Sequence, residues 1–411
     1  MSESAYTRVA DGISLRQLRL FEAIGEFNSV RRASEHCSLS QPAVTQSLSK
    51  LERQIGSVLV ERTASGSFLN AEGRIFHRRT NRFFSQALEA LERAGVAASP
   101  ADAGVILNRL TRSQIRSLVA MCDHGGIPQA AEALDITVAS LQRAARDLEA
   151  NLGIVLVYRT AIGVIVNPIG LDLGRAFKLA LQELELGLDE IAAAQGHSKR
   201  QLVVGAMPYG GSVLIAGVLK PFIDSNPQAA IRIMSESAAE VITSLRSGDV
   251  DLVVGLLPED AGEDLALEAL VKTPYAVAVR RGHPLLRDGR VGIEKLRDGD
   301  WIAGTRGSSR RAQFDRLFAG NPPRSRITTG SPPIIRAMLE ASNRMTLMTT
   351  YELENEPTMR AIQIEAELDC PSIGIITRRN WQPTSAHARF IEMLHGHVTV
   401  LERVDKRLET A

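Results

Sequence analysis

Amide, hydroxyl and basic side chains recur on one face of the short segment that follows Leu39. Amides and hydroxyls can hydrogen-bond base edges in the major groove, whereas lysine and arginine hold phosphates. The pattern therefore predicts a helix that reads double-stranded DNA. The predicted contact residues are Ser40, Gln41, Pro42, Thr45, Gln46, Ser49, Lys50, Arg53 and, beyond the helix, Arg62.

The segments around this face predict a helix-turn-helix with a wing. Apolar residues at helical spacing predict helices over residues 15–24 and 30–37. Ser40 can cap the third helix, and Pro42 fits its first turn, where a missing N–H costs nothing. Two short strands on either side of Gly66 predict the wing, and a long helix over residues 71–93 follows. The buried stripe of the third helix consists of Val44, Leu48 and Leu51.

This pattern occurs twice in the chain. Residues 17–73 align without a gap onto residues 114–170, at a constant offset of 97 (114 − 17 = 97). A gap-free repeat of this length indicates a second copy of the same structural unit. In the second copy the predicted DNA contacts are Thr137, Ser140, Gln142, Arg143, Arg146 and Arg159.

Charge favours the first copy as the DNA reader. Residues 1–95 contain 13 lysines and arginines against 10 acidic residues, giving +3, whereas residues 96–200 contain 10 against 11, giving −1. Asp147 stands where the first copy has Lys50 and would repel phosphate. The second copy therefore either adds phosphate contacts through Arg143 and Arg146, or serves as a spacer or a dimer surface.

Composition excludes several other classes of protein. The chain has 411 residues, 44% of them hydrophobic and 23% charged, as in ordinary globular proteins of two to four domains. No run of eighteen apolar residues and no secretory signal is visible, so we expect a cytoplasmic protein. The three cysteines, Cys37, Cys122 and Cys370, are far apart, and the eight histidines are scattered. We therefore expect no metal site, no cofactor and no catalytic residues.

The second half of the chain has a different pattern of apolar residues. From Gln201 onward, short apolar runs alternate with helical stretches, which predicts an α/β fold with a parallel sheet. Ligands of such sheets lie beyond the carboxyl ends of the strands, near helix N-termini. The predicted ligand contacts are Pro208, Tyr209, Gly210, Ser212, Ser235, Glu236, Thr305, Arg306, Ser331 and Thr349. Three arginines among residues 304–311 suit a carboxylate or a sugar, unless they are only surface charges.

The residues of both halves resemble one family. The run ASEHCSLSQPAVTQSLSKLERQIGSVLVERTASGSFLNAEG resembles the winged helix-turn-helix of LysR-type transcriptional regulators, and SLRSGDVDLVVG and VAVRRGHPL resemble their effector-binding domain. The chain departs from the family pattern at four positions, of which Ser67 weakens the expected contact between wing and phosphate. The departing residues are Ser34, Val60, Ser67 and Asn70.

The resemblance implies a multidomain fold. Two tandem winged helix-turn-helix units, over residues 12–95 and 108–196, precede a two-lobed α/β domain like the periplasmic binding proteins over residues 201–400. Segments 96–108 and 196–200 are predicted to be linkers. The long helix that ends each winged unit would pair two subunits in a homodimer or homotetramer; packing within its own domain is the alternative.

The leading functional hypothesis is a transcription factor that binds a DNA operator and senses a small-molecule effector in its C-terminal cleft. Two alternatives stay open. The chain could be an architectural DNA-binding protein without an effector, or an enzyme built on the two-lobed domain. Stabilisation by metabolites would distinguish the metabolite-sensing transcription factor from the architectural protein, and turnover assays would reveal an enzyme.

Overall fold

The structure is a computed structural model that describes residues 5–64, 66–160, 163–197, 201–208 and 210–409. It divides into two compact units, residues 1–200 and 201–411. Within the described residues, no helix is both long and apolar enough to cross a membrane.

The first unit contains the same set of elements twice. The first set is α1 (Ala5–Gly12), α2 (Leu15–Phe27), α3 (Val30–His36), α4 (Gln41–Ile55), β1 (Val60–Thr63), β2 (Gly66–Leu69) and α5 (Ala71–Arg93). The second set is α6 (Pro100–Arg109), α7 (Arg112–His124), α8 (Ile127–Ala133), α9 (Val138–Leu152), β3 (Val157–Thr160), β4 (Gly163–Val166) and α10 (Pro168–Ala194). We call α2 to β2 the first head and α7 to β4 the second head.

Local sequence signals explain the boundaries of the heads. Ser14 caps α2 with a capping box, and Asn28 ends that helix in the left-handed conformation at φ 48°. Ser40 caps α4, and Gly56 ends it at φ 79°. Thr111, Thr137 and Gly153 repeat these roles in the second head. The predicted stripe of Val44, Leu48 and Leu51 is buried, and each wing is an antiparallel strand pair.

The linker predicted over residues 96–108 contains a helix, and that prediction was wrong. Helix α6 begins at Pro100 after the cap Ser99 and buries Ala103 and Leu107. Its alanine, glycine and serine content resembles a loop, but it packs on α5, and burial of its apolar side stabilises it. Helix α6 occupies the place in the second set that α1 occupies in the first.

The two long helices pack on each other within one chain. Helix α10 lies along α5 and buries Leu173, Phe177, Leu184 and Leu188. The stripe that we expected between subunits thus packs on α5 and α7 of the same chain. The contact with α7 fits the alternative, packing within its own domain, whereas α5 belongs to the first set of elements.

The second unit is an α/β structure with several sheets. Its first elements are β5 (Gln201–Ala206), α11 (Gly210–Ser225), β6 (Ala230–Met234), α12 (Ala238–Ser247), β7 (Leu252–Leu256), β8 (Leu265–Lys272) and β9 (Tyr275–Arg280). The next are α13 (Ile293–Arg297), β10 (Ile302–Ala303), α14 (Ser309–Leu317), β11 (Ile327–Thr328), α15 (Pro332–Glu340) and β12 (Thr346–Thr349). The last are α16 (Thr350–Glu354), β13 (Met359–Ile362), β14 (Ser372–Arg378) and α17 (Ser385–Glu409).

These elements form two lobes with separate cores. The first lobe is built on a five-stranded sheet in the order β6-β5-β7-β14-β8, and the second on a three-stranded sheet in the order β12-β9-β13 and the parallel pair of β10 and β11. Strands β5, β6 and β7 are parallel, as the alternation of apolar runs and helices predicts, whereas β14 is antiparallel to its neighbours β7 and β8. Apolar clusters fill the lobes separately, around Phe222 and Phe390 in the first and around Trp301 in the second.

Candidate nucleic-acid interface and ligand cleft

Helix α4 presents a polar and basic face to solvent. Gln41, Gln46, Ser49, Lys50 and Arg53 are exposed, and Thr45 is half-buried beside them. The Ser40 hydroxyl accepts a hydrogen bond from the backbone N–H of Ala43 at 3.4 Å, so it fixes the start of the helix. Pro42 and Arg62 are also exposed, the latter on the wing strand β1. The predicted contact residues of α4 therefore lie along one accessible side of this helix, and Arg62 is accessible on the wing.

A further basic residue, Arg16 at the start of α2, lies beside this face. A groove of about 390 Å³ between α2 and α4 is lined by Arg16, Gln46, Lys50 and Arg53. Three cationic side chains around one groove suit a phosphate of the DNA backbone. Arg16 is not among the predicted contacts, which all lie on the third helix or the wing. The sequence signal was present, since Arg16 occupies an outward position among the apolar residues of α2.

The second head has the same fold as the first head but a different surface. Thr137, Ser140, Gln142, Arg143 and Arg146 are exposed on or before α9. The side chain of Arg159 lies outside the described residues. Large apolar side chains are exposed at positions that are polar or charged in the first head. Val138 and Tyr158 stand where the first head has Gln41 and Glu61. At the start of α10, Ile169 and Leu171 stand where α5 has Glu72 and Arg74.

The predicted ligand contacts lie in three separate segments of the second unit, except Thr349, which is 0% exposed and caps α16, so that prediction was wrong. Gly210 and Ser212 lie in the first turn of α11 and Pro208 just before it, and Tyr209 lies outside the described residues. Ser235 and Glu236 are exposed in front of α12. Thr305, Arg306 and Ser331 follow the parallel strands β10 and β11.

Glu352, a buried residue that was not predicted, connects Gly210 with Arg310 through its carboxylate. Glu352 of α16 is 0% exposed. Its carboxylate accepts hydrogen bonds from the backbone N–H groups of Gly210 at 3.3 Å and Thr349 at 2.9 Å. It also forms a salt bridge with Arg310 at 3.0 Å. A protein carboxylate therefore lies at the N-terminus of α11, where anionic ligands often bind.

This cluster changes the interpretation of the three arginines. Arg310 is paired with Glu352, and Arg311 donates to Asp315 at 2.9 Å. Arg306 is exposed and lines a cavity of about 770 Å³ together with Tyr275, Ser309 and other residues. Burial raises the pKa of the Tyr275 hydroxyl, which donates a hydrogen bond to Ser309 at 3.1 Å. Arg311 lines the same cavity, but its charge is paired with Asp315. Among the described residues, no group of histidine, cysteine, aspartate and glutamate could hold a metal ion.

Comparisons with known proteins match both units. A sequence profile of bacterial regulatory helix-turn-helix proteins of the lysR family matches residues 15–74 and again residues 113–171. A profile of the LysR substrate binding domain matches residues 195–399. The chain is 28% identical to the HTH-type transcriptional regulator GalR of Pseudomonas putida, over 84% of this chain and 86% of GalR. It is 28% identical to the regulator GbpR of Azospirillum brasilense, over 58% of this chain and 71% of GbpR.

A solved structure has a similar fold. Full-length OxyR of Pseudomonas aeruginosa superposes with a TM-score of 0.51 at 19% identity, over 70% of this chain and 93% of OxyR.

Proposed function

Because the chain belongs to the LysR family of bacterial regulatory helix-turn-helix proteins, we propose that it controls transcription by reading a DNA operator with α4. The observation that carries this proposal is the accessible face of α4, where amide, hydroxyl and basic side chains stand together on a capped helix. The amides of Gln41 and Gln46 face base edges, and Lys50, Arg53 and Arg62 hold phosphates. Arg16 adds a phosphate contact from α2.

We expect Gln41→Ala and Thr45→Ala each to weaken binding to the specific operator by about 1–3 kcal/mol, the usual scale for losing a base contact. Lys50→Ala should instead weaken binding to all sequences alike and lower the salt slope by about 1. Fluorescence anisotropy with a duplex that the wild-type protein selects from a random library, beside a scrambled duplex, measures both effects. Gln228→Ala, an exposed glutamine of the second unit, is the control. Unchanged operator affinity of Gln41→Ala would mean that α4 does not read bases.

The second unit is proposed to sense a small polar metabolite between its lobes. Loops with glycine, serine and threonine follow β5, β10 and β11, and Arg306 faces a cavity there. Arg306 suits a carboxylate, and the surrounding hydroxyls suit a sugar. Such a regulator acts in the cytoplasm as a homodimer or homotetramer, and neither catalysis nor a cofactor is needed for this role.

We expect an effector to raise the melting temperature of the full-length protein, because a ligand that binds only the folded state stabilises it by mass action. Differential scanning calorimetry with a panel of sugars, carboxylates and aromatic acids measures the shift. Ser235→Trp and Thr305→Trp should abolish it by filling the space between the lobes, whereas Ala388→Trp, exposed on α17, should not. If no compound of the panel gave a shift, the architectural alternative would be favoured.

A further inference from the structure

The two heads are joined by an antiparallel pair of long helices. Arg79 of α5 donates to Glu190 of α10 at 2.8 Å, and Gln86 of α5 donates to Glu183 of α10 at 3.1 Å. A step forward along α5 therefore corresponds to a step backward along α10. Because each head precedes its own long helix, the two heads lie at opposite ends of this pair.

The contacts of the shorter helices are reciprocal. Helix α1, which precedes the first head, packs on α10, and α6, which precedes the second head, packs on α5. Arg19 of α2 donates to the carbonyl of Leu107 near the end of α6. Arg112 of α7 donates to the carbonyl of Ala10 near the end of α1. These exchanged contacts describe a pseudo-two-fold axis between the heads. Such an axis places equivalent residues of α4 and α9 at equal height along itself.

A buried charge cluster holds the helix pair together. Arg79 is 1% exposed, and its guanidinium contacts Glu183 at 2.8 Å and Glu190 at 2.8 Å. Burial lowers the pKa of Arg79, but hydrogen bonds to Glu190 and Glu183 and the charges of both carboxylates outweigh it, so the pKa is raised. Arg82 and Gln86 contact the other oxygen of Glu183 at 3.0 and 3.1 Å. The Arg79 guanidinium therefore stays charged and donates hydrogen bonds to both carboxylates.

The same cluster disfavours the pairing of α5 with a second α5, and of α10 with a second α10. With the offset of 97 residues, a pair of two α5 helices would place Arg79 opposite Gln86 (183 − 97) and Arg93 (190 − 97), with no carboxylate. A pair of two α10 helices would place Glu183 opposite Glu183 (86 + 97) and Glu190 opposite Ala176 (79 + 97). Both arrangements bury a charge without an opposite charge, which is strongly destabilising. Only α5 with α10 gives Arg79 carboxylate partners, and both helices belong to one chain, joined through residues 94–167.

We propose that one chain by itself forms a two-headed DNA clamp, in which the Arg79 cluster pairs α5 with α10 of the same chain. Its partner is one duplex with two unequal half-sites: α4 reads bases in one, and Arg143 and Arg146 of α9 hold phosphates in the other. Helix α5 has 23 residues, so it spans roughly 35 Å. This length matches about 34 Å for one turn of B-DNA. The inference rests on the proposed function.

The first experiment asks whether the helices pair within one chain. Arg78 lies on the exposed rim of the cluster, 3.4 Å from Glu190. In full-length protein with Cys370→Ser, the pair Arg78→Cys and Glu190→Cys is treated with a short bismaleimide, and either cysteine alone is the control. We expect a cross-linked product of single-chain mass on a denaturing gel. A product of twice that mass as the main species would overturn the proposal.

The second experiment asks whether both heads hold one duplex. On the duplex selected by the wild-type protein, five base pairs are inserted between the two footprinted halves. We expect affinity to fall about tenfold, to the level of the Arg143→Ala, Arg146→Ala double variant, because a half-turn rotates one half-site away. That double variant should have a salt slope lower by about 2 and should tolerate the insertion.

A wild-type protein that tolerates the insertion would overturn the clamp and leave the proposed function standing. Failure of the wild-type protein to select any duplex would instead overturn the proposed function itself.

A charge reversal tests whether the helices pair within one chain (in cis) or between two chains (in trans). Arg79→Glu, or Glu183→Arg with Glu190→Arg, should each lose at least about tenfold in affinity. The three changes together in one chain should recover affinity, and co-expression of the two defective chains should not. Recovery in trans would show pairing between chains.

Discussion

Arg79→Ala is expected to lower the free energy of unfolding of the first unit by about 3–5 kcal/mol, the usual cost of breaking a buried ion pair from one side. Two carboxylates, Glu183 and Glu190, would then share a nearly dry site without the guanidinium that joins them. For a unit of this size, the melting temperature should fall by roughly 6–20 °C.

The two units can be followed separately in this measurement. Both tryptophans, Trp301 and Trp381, lie in the second unit, so tryptophan fluorescence reports that unit and far-UV circular dichroism also reports the helical first unit. Arg79→Ala should shift the dichroism transition and leave the fluorescence transition in place. Arg78→Ala is the matched control, because Arg78 is 52% exposed and its contact with Glu190 is 3.4 Å long. Exposed pairs contribute about 0–1 kcal/mol. Equal effects of the two changes would contradict the special role of Arg79.

An apolar version of the cluster separates stability from selectivity. Replacing Arg79, Glu183 and Glu190 together with leucine should be neutral or stabilising, because a well-packed apolar interface avoids the cost of burying charge. The same variant should lose its preference for pairing α5 with α10, and its helices should begin to pair between chains. The ion cluster would then determine which helices pair, more than it would stabilise the fold.

Local signals made the exposed polar and basic face of α4 predictable. The cap at Ser40, Pro42 in the first turn and the period of Val44, Leu48 and Leu51 each act within a few residues, so the sequence alone positions α4 and its outward side. The repeat offset carried the same assignment to α9. Helix α6 was not predicted because its alanine and glycine content does not distinguish a helix from a loop. Its stability comes from packing on α5, which no local sequence pattern shows.

The ligand cleft was less predictable, for a reason that Glu352 illustrates. Its partners Arg310 and Gly210 lie 42 and 142 residues away in the sequence. No spacing rule connects residues so far apart, because the tertiary fold alone brings them together. The sequence did show a cluster of arginines suited to carboxylates. It could not show that one carboxylate is supplied by the protein, which leaves Arg306 facing the cavity.

Glu352→Ala is expected to destabilise the second unit by about 3–5 kcal/mol and to shift the tryptophan fluorescence transition downward. The change would deprive Arg310 of this carboxylate and remove the acceptor of the Gly210 and Thr349 N–H groups. The dichroism signal of the first unit should change little. Glu354→Ala, an exposed residue of the same short helix, is the matched control.

The variants of Glu352 also test what occupies the N-terminus of α11. Glu352→Gln keeps the volume of the side chain but loses its charge, and its amide group turns one donor toward the N–H groups, so we expect an intermediate effect. Acetate or formate should raise the melting temperature of Glu352→Ala and leave the wild-type protein unaffected, because a small carboxylate can bind the Gly210 N–H and Arg310 in the vacated space. A fluorescence transition that stays in place in Glu352→Ala would show that the contacts of Glu352 do not stabilise the second unit. Rescue of the wild-type protein by acetate would place the anion elsewhere, and the cavity beside Arg306 would then be the site to test.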